Sequence, residues 1–271
     1  VGKEPADVEG DIMAERFADR VVIVTGGVSG IGEASARRFA AEGAKVVVAD
    51  INKDLIAAVP ENFNANVTGR VTDVTNEADV QALIDETVAK HGTLDAFINV
   101  AGGSRSGTLT DISAEDWDFT VRLNLYSAFF GTRLAARQFI KEGKPGVIVN
   151  VASLNSEVPM HFGVGYTTSK AGVAMLSRQA ALELGDKGIR VNSVSPGLVD
   201  TPLTAGMLGI PGMQGAFDER IPMLRAAKPE EIAAAITYLA SDDASYVSGT
   251  NHFVDGAWNT SGYPDLRKFM S

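Results

Sequence analysis

The chain contains no cysteine, which excludes disulfides, thiolate nucleophiles and cysteine-ligated zinc. It has only three histidines. His91, His161 and His252 are scattered singly, so no metal-ligand spacing exists and no metal is expected. Basic residues are outnumbered, 24 Lys and Arg against 34 Asp and Glu for a formal net charge of −10, and that balance argues against a nucleic-acid partner. No apolar run approaches the roughly 20 residues that a membrane helix needs, so no membrane span is expected. The stretch from Val1 to Arg16 carries Glu4, Asp7, Glu9, Asp11 and Glu15 and has no apolar core, unlike a secretory signal. A cytoplasmic protein is expected, whose partners are small molecules or other proteins. Residues 1–17 read as a polar extension and 18–271 as one domain.

What the sequence does contain is a repeating alternation of short apolar runs and amphipathic stretches, at a length (271 residues) and hydrophobic content (45%) ordinary for one α/β domain. The runs Val21–Val24, Val46–Ala49, Val67–Val71, Ala96–Val100, Gly146–Val151, Arg190–Val194 and Asn251–Val254 make seven candidate strands. The pattern predicts a single-domain α/β fold of the Rossmann type, a doubly wound parallel sheet covered by helices on both faces.

After the first run, Thr25-Gly26-Gly27-Val28-Ser29-Gly30-Ile31-Gly32 opens a helix. Glycines at 26, 30 and 32 permit a tight turn and a close approach of backbone to ligand, and the first amides of the helix can receive a pyrophosphate. The second run ends in Asp50, placed to accept the ribose hydroxyls of a dinucleotide. A 2′-phosphate would face that carboxylate, and neither Ser29 nor Ile51-Asn52 supplies the cation it needs. NAD is therefore expected rather than NADP.

In Tyr166-Thr167-Thr168-Ser169-Lys170, helical spacing puts an ammonium beside a phenol on one face. Taken singly this reads either as a surface contact or as an acid/base pair, in which a fixed positive charge brings the phenolate within reach.

The ordered set of these motifs resembles the short-chain dehydrogenase/reductase family, in its short single-domain NAD-using form. The resemblance runs from about Arg20 to Gly256 and rests on Thr25-Gly26-x-x-x-Gly30-x-Gly32, Asp73, Asn99-Val100-Ala101-Gly102, Asn124, Ser153, Tyr166-x-x-x-Lys170 and Pro196-Gly197. The family most often has Asn where Val100 stands. The resemblance implies Tyr166 as general acid/base and Lys170 as the residue that lowers its pKa and binds the nicotinamide ribose. It implies Ser153 as the group that polarises the substrate oxygen, and Asn124 as holder of a water that links Lys170 to solvent. It further implies cofactor contacts at Asp73 and Val74 for adenine, at Ala101 and Gly102 for the riboses, and at Val199 and Thr201 for the carboxamide. Asn99 is implied as a stabiliser of the central sheet beside the cofactor.

The function expected is hydride transfer between NAD and a secondary alcohol or ketone. Two alternatives stand beside it: an NADPH-dependent 3-oxoacyl thioester reductase, and a catalytically silent NAD-binding regulator. Substrate identity is expected in Ser104–Gly107, Leu154–Phe162 and a lid at 198–227. There Leu203, Met207, Leu208, Ile210, Met213, Phe217, Met223 and Leu224 either line an apolar pocket or glue the lid to the body. Few basic residues accompany them, only Arg220, Arg225 and Lys228, so a neutral cyclic or aromatic alcohol or diol suits the lid better than an anionic one. His161 reads as a solvated loop residue. The helix after Tyr166 is apolar all round and is expected to be buried. By the resemblance it builds a dimer with the helix of Asn124, and the last strand with the tail Gly256–Ser271 completes a homotetramer.

Overall fold

The computed structural model describes residues 16–261. Most of the proposed extension and the tail beyond residue 261 lie outside the described residues. Arg16 and Phe17 do not behave as part of an extension. Phe17 is 2% exposed and meets Phe39 edge-on at 4.8 Å, while Arg16 Nη2 lies 2.6 Å from Glu42 Oε2. The folded body therefore takes in residues 16 and 17, because an aromatic ring that packs against another in the core is worth more buried than solvated.

The sheet has seven strands in the order β3-β2-β1-β4-β5-β6-β7, every pair parallel: β1 Val21–Thr25, β2 Lys45–Asp50, β3 Val67–Val71, β4 Ala96–Asn99, β5 Gly146–Val151, β6 Ile189–Pro196 and β7 Asn251–Val254. The strands are Val- and Ile-rich because both faces are covered. On one face Val22, Val24, Val46, Val48 and Ile98 pack with Phe39 and Ala40 of helix α1 (Gly30–Ala41) and with Ile232, Ile236 and Leu239 of a late helix, Pro229–Ala240. On the other face Ile23, Val47, Phe97 and Ile148 pack with Leu83 and Ile84 of α2 (Glu77–His91) and with helices that follow β4. Successive strand residues thus feed opposite cores, as the two-residue side-chain period requires.

After β4 the chain forms α3 (Ala114–Val121), a five-residue π turn at Arg122–Tyr126, and α4 (Ser127–Glu142), which stops at Gly143 with φ 64°. Helix α5 (Val164–Leu184) follows β5 and carries the Tyr166–Lys170 pair. Its inner face, Gly165, Ser169, Lys170, Val173, Ser177 and Ala180, is buried. Its outer face is not: Met175 and Leu182 are 59% and 79% exposed. The expectation of a helix buried all round is thus met on one side only within a single chain. Two short lid helices, α6 (Pro202–Leu208) and α7 (Met213–Asp218), separate β6 from α8 (Pro229–Ala240). No helix among the described residues is long and apolar enough to cross a membrane.

Strand order reverses between β1 and β4, and ligands of doubly wound sheets sit outside the carboxyl ends of the strands at that point. Thr25, the last residue of β1, ties the two together: its Oγ1 accepts from the amides of Val100 at 3.1 Å and Ala101 at 3.4 Å.

Candidate active site

Two adjoining cavities open at that reversal. The larger, 590 Å³, is lined by the turn Gly26, Ser29, Gly30, Ile31 and Gly32, by Asp50 and Ile51 after β2, by Asp73 and Val74 after β3, by Ala101 and Gly102 after β4, and by Thr201. The smaller, 130 Å³, is lined by Ser153, Tyr166, Lys170, Pro196, Gly197, Val199 and Thr201. Ile31, Val100, Gly102, Thr201 and Leu203 border both, so a ligand can extend from one into the other.

The glycine turn is shaped for close approach. A Cβ on Gly32 would lie 1.9 Å from the Gly26 carbonyl oxygen, and one on Gly26, whose φ is 63°, would meet the Ala101 backbone at 3.0 Å. The Ser29 side chain makes no capping hydrogen bond, and the Glu33 amide is the first to bond backward, to Ser29 O at 3.1 Å. The amides of Gly30, Ile31 and Gly32 are left at the helix mouth, where the dipole favours an anion. Asp50 accepts from the Asn52 amide through Oδ1 at 3.0 Å, the only protein hydrogen bond of its carboxylate among the described residues. None of the residues lining the larger cavity is Lys or Arg. A glycine cradle, an open helix end and an acid beyond them fit a dinucleotide with a free ribose diol.

In the smaller cavity Ser153 is held at the end of β5: its Oγ accepts from the Asn155 amide at 3.1 Å. Lys170 is 4% exposed, and its Nζ donates to the Val151 carbonyl at 2.8 Å and stands 5.6 Å from the Tyr166 ring centroid. Burial pushes the Tyr166 phenol above its ordinary 10, opposed by a hydrogen bond with Ser153. Burial also pulls Lys170 down, from 10.5 to about 8, because the pocket offers the ammonium no carboxylate. The hydrogen bond with Ser153 favours the phenolate.

Two residues of the expected set do not line either cavity. Asn99 Nδ2 donates to Asn150 Oδ1 at 2.8 Å, inside the sheet–helix layer. Asn124, buried in the π turn, donates to the carbonyls of Gly103 at 2.6 Å and Thr120 at 2.8 Å. It sits directly behind the cofactor wall, since a Cβ on Gly102 would be 2.8 Å from Asn124 Oδ1 and 3.3 Å from Lys170 Nζ. In this arrangement its amide fixes the wall rather than facing the pocket.

The lid contributes less than its apolar content suggests. Of its large apolar residues, only Leu203 borders the two cavities. Ile210, Met223 and Leu224 are 51%, 59% and 69% exposed, and Phe217 packs edge-on against Trp258 at 5.5 Å. His161 is exposed beside Phe162, 6.4 Å between ring centroids. The acceptor for Lys170 is a backbone carbonyl and had no signature in the sequence.

A family model described as "Enoyl-(Acyl carrier protein) reductase" matches residues 26–259. The chain is 38% identical over 249 residues to 3beta-hydroxysteroid dehydrogenase 1 of Eggerthella lenta, covering 90% of this chain and 95% of that one. It is 36% identical over 250 residues to the 2,5-dichloro-2,5-cyclohexadiene-1,4-diol dehydrogenase LinX of Sphingobium indicum, covering 91% and 99%. A solved short-chain type dehydrogenase/reductase from Mycobacterium ulcerans superposes with a TM-score of 0.87 at 33% identity, 94% of each chain being covered.

The protein is a short-chain dehydrogenase/reductase.

The crystal structure of a levodione reductase matches as well, with a TM-score of 0.84 and 36% identity over 91% of this chain and all of that one (100%). Short-chain dehydrogenase/reductases use a nicotinamide dinucleotide, and the larger cavity is the place in this member whose shape fits one.

Proposed function

We propose that this short-chain dehydrogenase/reductase oxidises a neutral cyclic secondary alcohol or diol with NAD, or reduces the corresponding ketone. The observation that carries the reading is the convergence of Ser153, Tyr166 and Lys170 on one pocket that opens into the dinucleotide-shaped cavity. NAD, when bound, supplies the acceptor for hydride from the carbinol carbon. The chain's own part is to orient and to move a proton. The Tyr166 phenolate takes the proton from the alcohol, the Ser153 hydroxyl holds the substrate oxygen against it, and Lys170 balances the developing charge. The remaining site residues act on the cofactor: Gly26, Gly30 and Gly32 with the amides at the start of α1 on the pyrophosphate, Asp50 on a ribose, and Asp73 and Val74 on the adenine.

The preference for NAD rests on Asp50 and on a cavity lining without Lys or Arg. A ring-bearing neutral substrate is supported by the relatives, which are named for a hydroxysteroid and a cyclohexadiene diol. Incubation with cyclic secondary alcohols and diols should give reduced-cofactor absorbance with NAD, at a kcat/KM at least about 100-fold above that with NADP, since a 2′-phosphate beside a carboxylate costs several kcal/mol. No turnover with either cofactor would sink the oxidoreductase reading. Equal use of both would sink the role of Asp50 alone.

The exposed Phe129, Ile140, Met175 and Leu182 on α4 and α5 are unusual for a solvated surface and support assembly through these helices into a homotetramer. Sedimentation equilibrium is expected to return four times the chain mass, and a monomer at micromolar concentration would overturn the assembly.

A further inference from the structure

We infer that Asn150, a residue that touches neither cavity, positions the catalytic helix α5 against the cofactor wall. The inference rests on the oxidoreductase reading above and concerns the same site. In β5 the side chain of Asn150 occupies the place where Val147, Ile148 and Val149 before it and Val151 after it are all apolar and buried. An aliphatic residue would satisfy the sheet, and a fully buried amide costs stability unless each of its groups is paired.

Here every group is paired, and each partner comes from a different element. Oδ1 accepts from Asn99 Nδ2 at 2.8 Å and from Thr132 Oγ1 at 3.2 Å, and Nδ2 donates to Ser177 Oγ at 2.9 Å. Asn99 is the last residue of β4, directly before Val100 and Gly102, which border both cavities. Ser177 lies two turns beyond Lys170 on the same buried stripe of α5, and its hydroxyl is anchored to Val173 O at 2.8 Å. One amide therefore joins the strand that leads into the cofactor wall to the helix that carries Tyr166 and Lys170.

The next residue adds a second attachment, since Val151 O accepts from Lys170 Nζ at 2.8 Å. Ser153 follows two positions later. The end of β5 thus fixes α5 at Ser177 and at Lys170 and presents Ser153 from the same strand. A one-residue slip of α5, about 1.5 Å and 100°, would break the Asn150–Ser177 bond and carry Lys170 off Val151. Asn150 is a positioning residue, acting through Asn99 and Ser177 on groups it does not touch.

The test is Asn150→Ala in the full chain, with Ser177→Ala as the milder variant should Asn150→Ala fail to fold. Two readouts are compared with the wild-type chain. One is the titration midpoint of Lys170, followed by NMR of protein labelled with [ε-13C]lysine and assigned by the signal lost in Lys170→Met. The other is kcat with NAD and 1,2-cyclohexanediol. Loosening α5 hydrates the ammonium, so the midpoint is expected to rise from about 8 toward 10.5. Alongside it, kcat is expected to fall about tenfold, a size typical of sub-ångström misplacement. A folded variant whose Lys170 midpoint stays at the wild-type value overturns the inference, whatever happens to its melting temperature, because that outcome is what a purely structural asparagine gives. Absence of diol turnover in the wild-type chain counts against the function and leaves the lysine midpoint to decide the role of Asn150.

Discussion

Tyr166→Phe is expected to lower kcat for alcohol oxidation by about 10³-fold while changing NAD affinity less than about threefold. The substitution removes one oxygen from the smaller cavity and leaves the ring, so the packing of α5 and the glycine cradle are untouched. What is lost is the proton acceptor, and positioned acid/base groups contribute roughly 10²–10⁴-fold. Ser153 remains to bind the substrate oxygen but has no base of its own, since its Oγ accepts from the Asn155 amide and its phenol partner is gone. The pH dependence has a definite sign. Burial holds the Tyr166 phenol above 10, so the phenolate fraction, and with it alcohol oxidation, should climb as pH rises through the alkaline range. Ketone reduction needs the protonated phenol and should fall over the same range. Initial rates in both directions against pH, with NADH fluorescence titrations for binding, measure all of this. A Tyr166→Phe variant that keeps a tenth of its wild-type kcat would remove Tyr166 from the mechanism, and weakened NAD binding in proportion to lost rate would make it a cofactor residue instead.

Much of this site was legible in the sequence because its parts obey short-range rules. The glycine spacing, Asp50 at a strand end and the Tyr166–Lys170 pair are all local, and the structure puts these residues around adjoining cavities. The seven strands were legible for the same reason, with their ends the least so. Strand β6 runs on through Ser195 and Pro196 because those residues pair with Phe253 and Val254, a contact 58 positions away that no local window shows. Phe17 reads as part of a polar extension because its neighbours are charged, although its partner Phe39 lies across a turn and a strand. The role of Asn150 left a trace that could have been read: a polar residue in the middle of Val-Ile-Val-x-Val. The direction of the Tyr166 shift left none, since it depends on how much water the folded pocket excludes.

Lys170→Met is expected to stabilise the protein while abolishing its activity, and the two effects have one cause. The ammonium is 4% exposed, has one carbonyl partner and no carboxylate among the described residues, and its pKa falls from 10.5 to about 8. A lysine depressed in the folded state binds fewer protons there than in the unfolded chain. Stability from this group therefore rises with pH between about 8 and 10.5, and below about 8 the whole penalty stands. The penalty is on the order of 3 kcal/mol at about 1.4 kcal/mol per unit, a bounding figure for a buried group. Methionine fills nearly the same volume, removes the charge and leaves the Val151 carbonyl unpaired, which returns some of the gain. At neutral pH a net stabilisation of about 1–2 kcal/mol remains, a rise in Tm of about 2–8 °C. The same variant should lose about 10³-fold in kcat, because nothing then balances the phenolate of Tyr166. Calorimetry of both proteins without cofactor, at pH 7 and again at pH 10, checks the sign as well as the size: the gap in Tm should narrow as pH rises. A variant less stable than wild type at pH 7, or a gap that widens with pH, would mean that Lys170 is held by the fold for its hydrogen bond and not tolerated for its chemistry.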